Sequence, residues 1–477
     1  MKENFKSFLI ILIIIQLYRF FVLLNSHYDL YVDEAYYWGW SREFSFGYYS
    51  KPPMIAWVIS IFTSLCGDSE FCVKLPSLII YPITSLFIYL SAKELFDEKV
   101  AFYSGVIFIT LPAVSLSSLI ISTDVVLLLF WSMAFYFFIK ALKSDRTLYW
   151  ILAGVSAGLG LLSKYTMIIF LFSVFLYLLI DKKSRIHLKN PKLYITALIA
   201  ALIYLPNLYW NAQHQFISFM HTKEISHIAD KSHFHFSRLF EFLGAQFAVF
   251  GPVFFALFLY LLFRPVKDER YKILYAFSVP FFAIISLQAF LSRAFANWAA
   301  PTYVAATILV AAAFIKRKKV LIAGIIVNIV MALLFYHYHS IASALNIELS
   351  SKTDPYKRVR GYKELAKELK PLLKTYKDTK FLFDSRSTMA EMIYYLRPHL
   401  FDSVMYNPQQ KPKSQYHMFT DLNRHIGEDF IYVTQNPDKN ITNYFQKAKL
   451  IKKITIPLYK DYSRRYYLYY LSGFKGY

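Results

Sequence analysis

The run Phe8–Leu24, FLIILIIIQLYRFFVLL, carries one charge, Arg19, and its reading decides the class of the protein. Crossing a hydrocarbon core takes about 20 apolar residues, since a helix rises about 1.5 Å per residue. Ten more such runs follow, near 73–92, 100–119, 124–139, 148–163, 165–180, 193–209, 239–262, 273–291, 298–315 and 320–338. The first run is not read as a cleaved signal peptide, because it lacks a small-residue cleavage site and Arg19 interrupts it. Composition agrees. The 477 residues are 56% hydrophobic, 19% aromatic and 18% charged, with mean hydropathy +0.36. A soluble domain is roughly 45–50% apolar and about 25% charged. Disorder, collagen, coiled coil and a disulfide scaffold are excluded, and a polytopic α-helical membrane protein of about eleven spans is predicted.

The net charge of +22 would suggest a nucleic-acid partner in a soluble protein. Here no nucleic acid is expected, because membrane proteins concentrate Lys and Arg on their cytoplasmic loops. With the N-terminus placed inside, the N-terminal segment and the even turns hold twenty Lys and Arg, and the longer odd turns hold seven. The N-terminus is therefore predicted to be cytoplasmic and the tail after the last run to be outside.

Two domains are expected: a transmembrane catalytic domain over 1–344, and a soluble α/β domain over 345–477. The tail shows a helical pattern from Tyr362 to Tyr376, with Leu365, Leu369, Leu372 and Leu373 on one face. Short apolar runs follow at Phe381–Phe383, Phe430–Val433 and Tyr466–Leu471, with a helix-like segment from Met389 to Leu396. Its twenty-four Lys and Arg against thirteen Asp and Glu suit either a surface held near anionic headgroups or an ordinary solvated face.

The chemistry gathers in the first outer loop, 25–72. Tyr31-Val32-Asp33-Glu34-Ala35-Tyr36-Tyr37-Trp38-Gly39-Trp40 reads as an interfacial helix, because amphipathic rings settle at headgroup depth. The loop returns through Gly47-Tyr48-Tyr49-Ser50-Lys51-Pro52-Pro53 into Met54–Leu65, an apolar segment too short to span. Three more charges fall at the outer ends of runs: Asp124 after Ser122-Thr123, Lys164 after Ser163, and Arg293 before Asn297-Trp298. With Asp33, Glu34 and Lys51 they make six charges of both signs on one face. A charge near a bilayer is costly and is a functional hypothesis by default. Each alone also has a bland reading as a snorkelling or capping residue, Asp124 especially as part of a helix N-cap. As a set they suit transfer from a lipid phosphate, in which a carboxylate accepts the proton of an attacking group and fixed cations stabilise the departing phosphate.

At these residues the chain resembles the GT-C glycosyltransferases, with the protein O-mannosyltransferases of family 39 and the lipid A aminoarabinose transferases as the most similar groups. The likeness lies in Asp33–Trp38 and Gly47–Trp57, and continues through Ser122-Thr123-Asp124 to Phe130-Trp131, Leu161–Thr166, Leu205-Pro206-Asn207 to Trp210-Asn211, Asn297–Pro301 and Phe381–Arg386. It implies inverting transfer from an undecaprenyl- or dolichyl-phosphate sugar, at the outer face of the cell membrane, to lipid A, another glycolipid or a protein. Asp33 would then be the catalytic carboxylate and Glu34 its neighbour. Lys51, Lys164 and Arg293 would contact the donor phosphate. Asp124 would bind substrate or support the site, and Tyr49, His214 and His221 are, apart from the resemblance, further candidates for substrate binding or a structural role. The aminoarabinose transferases carry a zinc-binding Glu immediately before Lys-Pro where this chain has Ser50, so no metal or other cofactor is expected, a divalent ion being the lesser alternative.

Loop 210–238 carries His214, His221, His227, His233 and His235. No Cys or carboxylate completes a zinc spacing there, so a loop covering the acceptor is expected over a metal site. Cys66 and Cys72 are either a disulfide or a pair of small buried thiols. Gly154 and Gly158 fit the small-xxx-small pattern of close helix packing. A secondary transporter or flippase is the alternative function. Transporters place their sites near the midplane between repeated halves, and neither repeat nor midplane acid pair is found.

Overall fold

A computed structural model of the chain describes residues 2–226 and 234–477. His227 and His233 lie outside the described residues. The chain divides into two compact units. One comprises Met1–Asn25, Ser45–Gly47 and Lys51–Tyr338; the other comprises Ser26–Phe44, Tyr48–Ser50 and His339–Tyr477.

The first unit is helical. Among the described residues, six helices are long and apolar enough to cross a membrane: Asn4–Leu24, Glu70–Leu95, Thr123–Ser144, Pro191–Gln213, Glu269–Leu291 and Thr302–Tyr336. Shorter apolar helices run over Met54–Cys66, Thr147–Ser163, Tyr165–Ile180 and Pro252–Phe263. Two apolar runs are broken where the sequence reading drew one continuous segment. The run at 100–119 splits into Glu98–Thr110 and Pro112–Ser117, and that at 239–262 into Phe236–Val249 and Pro252–Phe263. In both, a proline opens the second helix. It lacks an N–H and disfavours the helical region for the preceding residue; here Leu111 (ψ 137°) and Gly251 (φ 86°, ψ 143°) leave that region and end the first helix.

The first break explains Arg19. Ending a helix leaves carbonyl oxygens without partners, and inside an apolar bundle these are costly. Arg19, 2% exposed, donates through Nη2 to the Ile109 carbonyl (2.6 Å) and the Ser115 hydroxyl (2.8 Å), and through Nε to the Tyr336 hydroxyl (3.1 Å). Tyr336 in turn donates to the Ser115 carbonyl at 2.7 Å. The charge inside the first run thus pins the break between two other helices. Gly154 and Gly158 serve close packing of Thr147–Ser163 on Pro191–Gln213. A Cβ at either position would stand 2.7 Å from the Thr196 carbonyl or from Ile203. Cys66 and Cys72 form a disulfide joining the end of Met54–Cys66 to the start of Glu70–Leu95.

The second unit is an α/β layer. Its strands are β1 (Lys380–Phe383), β2 (Val404–Met405), β3 (Phe430–Thr434), β4 (Phe445–Tyr459) and β5 (Tyr462–Phe474), in the order β2-β1-β3-β5-β4. β2, β1 and β3 run parallel, and the β4–β5 hairpin adds antiparallel. Leu382, Phe430, Tyr432, Leu471 and Phe474 belong to the buried core. Helices Tyr362–Thr375 and Arg386–Tyr395 accompany the sheet. β4 was not foreseen from sequence. It is an edge strand studded with Lys447, Lys449, Lys452 and Lys453, and such charges discourage pairing with another chain while erasing the apolar signal of a strand.

Candidate active site

Asp33 and Glu34 lie in the first turn of helix Val32–Trp40, in the second unit. Glu34 is fully buried, and its Oε2 accepts the Tyr31 N–H at 2.8 Å, closing a capping box on its own helix. Asp33 is 39% exposed in its side chain, and its Oδ1 stands 3.0 Å from Nη1 of Arg386. The two adjacent carboxylates therefore have different duties: one caps, the other faces a cavity. That cavity, about 320 Å³, is lined by Asp33 and Tyr31 together with four cations, Lys357, Arg358, Arg386 and Arg464.

Several contacts hold this helix to the α/β layer. The Asp29 carboxylate, 3% exposed, accepts the Tyr362 N–H at 2.8 Å, and the Leu30 N–H donates to the Tyr395 hydroxyl at 2.7 Å. Trp38 meets Tyr394 edge-on at 4.9 Å, and the Arg386 guanidinium lies 4.8 Å from the Tyr36 ring centroid. Tyr49 joins the same unit. Its N–H donates to Gln415 Oε1 at 2.6 Å and its hydroxyl to the Pro412 carbonyl at 3.1 Å.

In the first unit the structure gathers three separate motifs. Asp124, 8% exposed, opens helix Thr123–Ser144 and is held from two sides: Lys164 Nζ stands 2.5 Å from Oδ1, and Asn297 Nδ2 donates to Oδ2 at 2.7 Å. Lys164 follows helix Thr147–Ser163, and Asn297 sits in the turn Ala296–Ala299. Lys51, half-buried, precedes helix Met54–Cys66, which packs on the helix that Asp124 opens and on the helix that Lys164 follows. Arg293 faces a cavity of about 580 Å³ that it shares with His235, Arg238 and Glu241.

The Leu205-Pro206-Asn207 to Trp210-Asn211 motif has a local explanation. Asn207 Nδ2 donates to the Phe46 carbonyl at 2.6 Å, and the Trp210 ring lies so close to Gly47 that a Cβ there would collide with it. Ser45–Gly47 is thereby clamped, with Trp57 Nε1 donating to the Ser45 carbonyl at 3.0 Å. His214 stacks on Trp210 at 4.0 Å, with Nδ1 2.8 Å from the Trp210 carbonyl, so its environment is local. His221 lies on helix Ile217–Ser226. Among the described residues, no group of three or more His, Cys, Asp or Glu is placed to hold a metal ion.

Sequence reasoning assigned no role to Arg386 or Asn297, although both stand in stretches that carried the family likeness. Their partners, Asp33 and Asp124, are distant in the chain, so only the fold reveals the pairing.

Residues 50–210 match the family described as dolichyl-phosphate-mannose-protein mannosyltransferase. Across 90% of this chain and 91% of the relative, the sequence is 32% identical to the lipid A galacturonosyltransferase RgtD of Rhizobium johnstonii. The chain belongs to the GT-C glycosyltransferase superfamily. A second relative in the same organism, the lipopolysaccharide core galacturonosyltransferase RgtB, is 27% identical over 40% of this chain and 39% of its own. The fold of this glycosyltransferase also matches that of ArnT from Cupriavidus metallidurans, solved with undecaprenyl phosphate, with TM-score 0.67 and 14% identity over 97% of this chain and 98% of that one. The transporter alternative gives way to an integral membrane enzyme.

Proposed function

We propose that the enzyme moves a hexuronosyl residue from a polyprenyl-phosphate carrier to a lipid A-type glycolipid at the outer face of the inner membrane, with inversion. The observation that carries this reading is the 32% identity to a lipid A galacturonosyltransferase over nine-tenths of both chains. The charge asymmetry of the loops supports a cytoplasmic N-terminus and an outer α/β unit.

In the proposed reaction, an acceptor hydroxyl attacks the anomeric carbon while the bond from that carbon to the phosphate oxygen breaks. The bonding pair leaves with the polyprenyl phosphate, and the hydroxyl proton passes to Asp33. Arg386 engages Oδ1 of Asp33, so Oδ2 is the oxygen assigned to take up the proton. Lys51 and Arg293 are assigned to the donor phosphate, where fixed cations stabilise growing negative charge. The pairing of Lys164 with Asp124 favours a positioning role for that lysine, braced by Asn297. The four cations around Asp33 suit a sugar that itself bears a carboxylate.

Mass spectrometry of lipid A from a deletion strain tests the reading. Loss of one hexuronosyl increment, restored by the wild-type gene and not by Asp33→Asn, is expected. An unchanged lipid A profile would contradict it.

A further inference from the structure

The second unit has another cavity, about 340 Å³, that the proposed reaction does not use. It opens at the carboxyl ends of the parallel strands. Asp384 follows β1 and Tyr406 follows β2, while Tyr432 in the middle of β3 also borders it. In open α/β sheets, ligands bind outside the carboxyl ends of strands, where connections leave adjacent strands in opposite directions. That condition holds between β1 and β3: the chain leaves β1 toward β2 on one side and leaves β3 toward the β4–β5 hairpin on the other.

Asp384 stands at this point. The hydroxyls of Tyr432 and Thr434 both donate to its Oδ2, at 2.8 and 2.6 Å, so β3 fixes the carboxylate while Oδ1 receives neither. Burial pushes the Asp384 carboxyl above its usual range despite the two hydroxyls. Gln409 accepts from Lys413 through Oε1 at 2.7 Å, and Asn407 donates through Nδ2 to the Lys411 carbonyl at 3.1 Å. What remains to a ligand is an amide N–H from Gln409 and an amide oxygen from Asn407. Tyr406 and Tyr432, ring centroids 5.7 Å apart and both nearly fully buried, also border the cavity.

This set of donors and acceptors suits a sugar ring, whose hydroxyls both donate and accept. A nucleotide fits poorly. After β1 the chain reads Asp384-Ser385-Arg386, without the glycines that let backbone N–H groups approach a pyrophosphate. Arg386 lines this crevice and the Asp33 cavity alike.

The geometry points to a saccharide-binding subsite formed by Asp384, Asn407 and Gln409, which holds one sugar ring of the acceptor headgroup on the far side of Arg386 from Asp33. That the ligand belongs to the acceptor rests on the reaction proposed above.

The test uses the full chain in nanodiscs and, as probe, the phosphorylated glucosamine disaccharide obtained by deacylating lipid A. Saturation-transfer NMR without donor reads binding, and turnover with intact lipid A reads KM and kcat separately. Asn407→Ala combined with Gln409→Ala is expected to weaken probe binding about tenfold, from loss of two hydrogen bonds. The acceptor KM should rise in proportion, with a smaller fall in kcat. Asp384→Asn, which keeps the shape and the hydroxyl contacts, should act in the same direction. Unchanged probe binding and unchanged KM in folded variants would overturn the subsite while transfer continues. Wild-type enzyme that binds the probe, loses that binding in the variants and yet transfers nothing would instead support the subsite and sink the proposed reaction.

Discussion

The Arg386 guanidinium lies 3.0 Å from the Asp33 carboxylate and 4.8 Å from the Tyr36 ring centroid, so a residue of the C-terminal segment braces a carboxylate of helix Val32–Trp40. Both partners are more than a third exposed. Such pairs add at most about 1 kcal/mol to stability, and the value of this one lies in orientation.

Arg386→Ala is accordingly expected to lower kcat by about a hundredfold, the scale of a misplaced catalytic group, with little change in unfolding temperature. Arg386→Lys should recover only part of the rate, since an ammonium does not reproduce the planar fork. Steady-state kinetics alongside thermal unfolding checks both. Equal rates in wild type and Arg386→Ala would remove the positioning role.

Lys164 and Asp124 behave differently because Asp124 is buried and Lys164 nearly so, with side chains 11% and 14% exposed. Removing one partner leaves the other charge uncompensated, at a cost of at most about 3–5 kcal/mol, the value for a fully buried pair. Lys164→Met and Asp124→Leu should each lower the unfolding temperature in detergent markedly. The double variant should be milder than the sum of the two. Additive losses would mean that the pair is not coupled.

Lys51→Ala should weaken binding of the polyprenyl-phosphate donor by about 1.5–3 kcal/mol, the worth of a hydrogen bond to a charged group. Acceptor binding should stay as it is. Titration of donor into nanodisc-embedded enzyme measures this, and unchanged donor affinity would reassign the lysine.

Acid stability offers another check. Burial, with Lys413 nearby, pushes the His417 imidazole from 6.5 down to about 4. The folded state therefore binds this proton less readily than the unfolded state. The contribution of His417 is fully present above pH 6.5 and is lost as pH falls toward 4. His417→Gln should flatten the fall in unfolding temperature across that window. An unaltered pH profile would show that His417 titrates normally.

Much of this was legible in the sequence. The apolar runs over 124–139 and 193–209, for example, lie within helices Thr123–Ser144 and Pro191–Gln213, because about 20 apolar residues have few other stable fates. The parallel strands at Phe381–Phe383 and Phe430–Val433 were visible as short buried apolar runs. What local pattern does not carry is long-range pairing. Nothing in Val32–Trp40 announces that it packs on Arg386–Tyr395, since the aromatic residues that suit a headgroup zone suit a protein core equally well. Arg19 illustrates the same limit: its partners at Ile109, Ser115 and Tyr336 exist only after a proline breaks the third apolar run. Glu34 and Asp33, adjacent and alike in sequence, are separated in duty by about 100° of helical rotation.

The most direct test of the account is transfer by purified enzyme in nanodiscs, supplied with polyprenyl-phosphate-linked galacturonic acid and lipid A and read by mass spectrometry. Wild type is expected to add one hexuronosyl residue to lipid A and to release polyprenyl phosphate in equal amount. Asp33→Asn should bind donor normally yet transfer about 10²–10⁴-fold more slowly, as expected when a positioned base is removed. Wild-type enzyme that leaves both substrates unchanged, or Asp33→Asn that transfers at the wild-type rate, would contradict it.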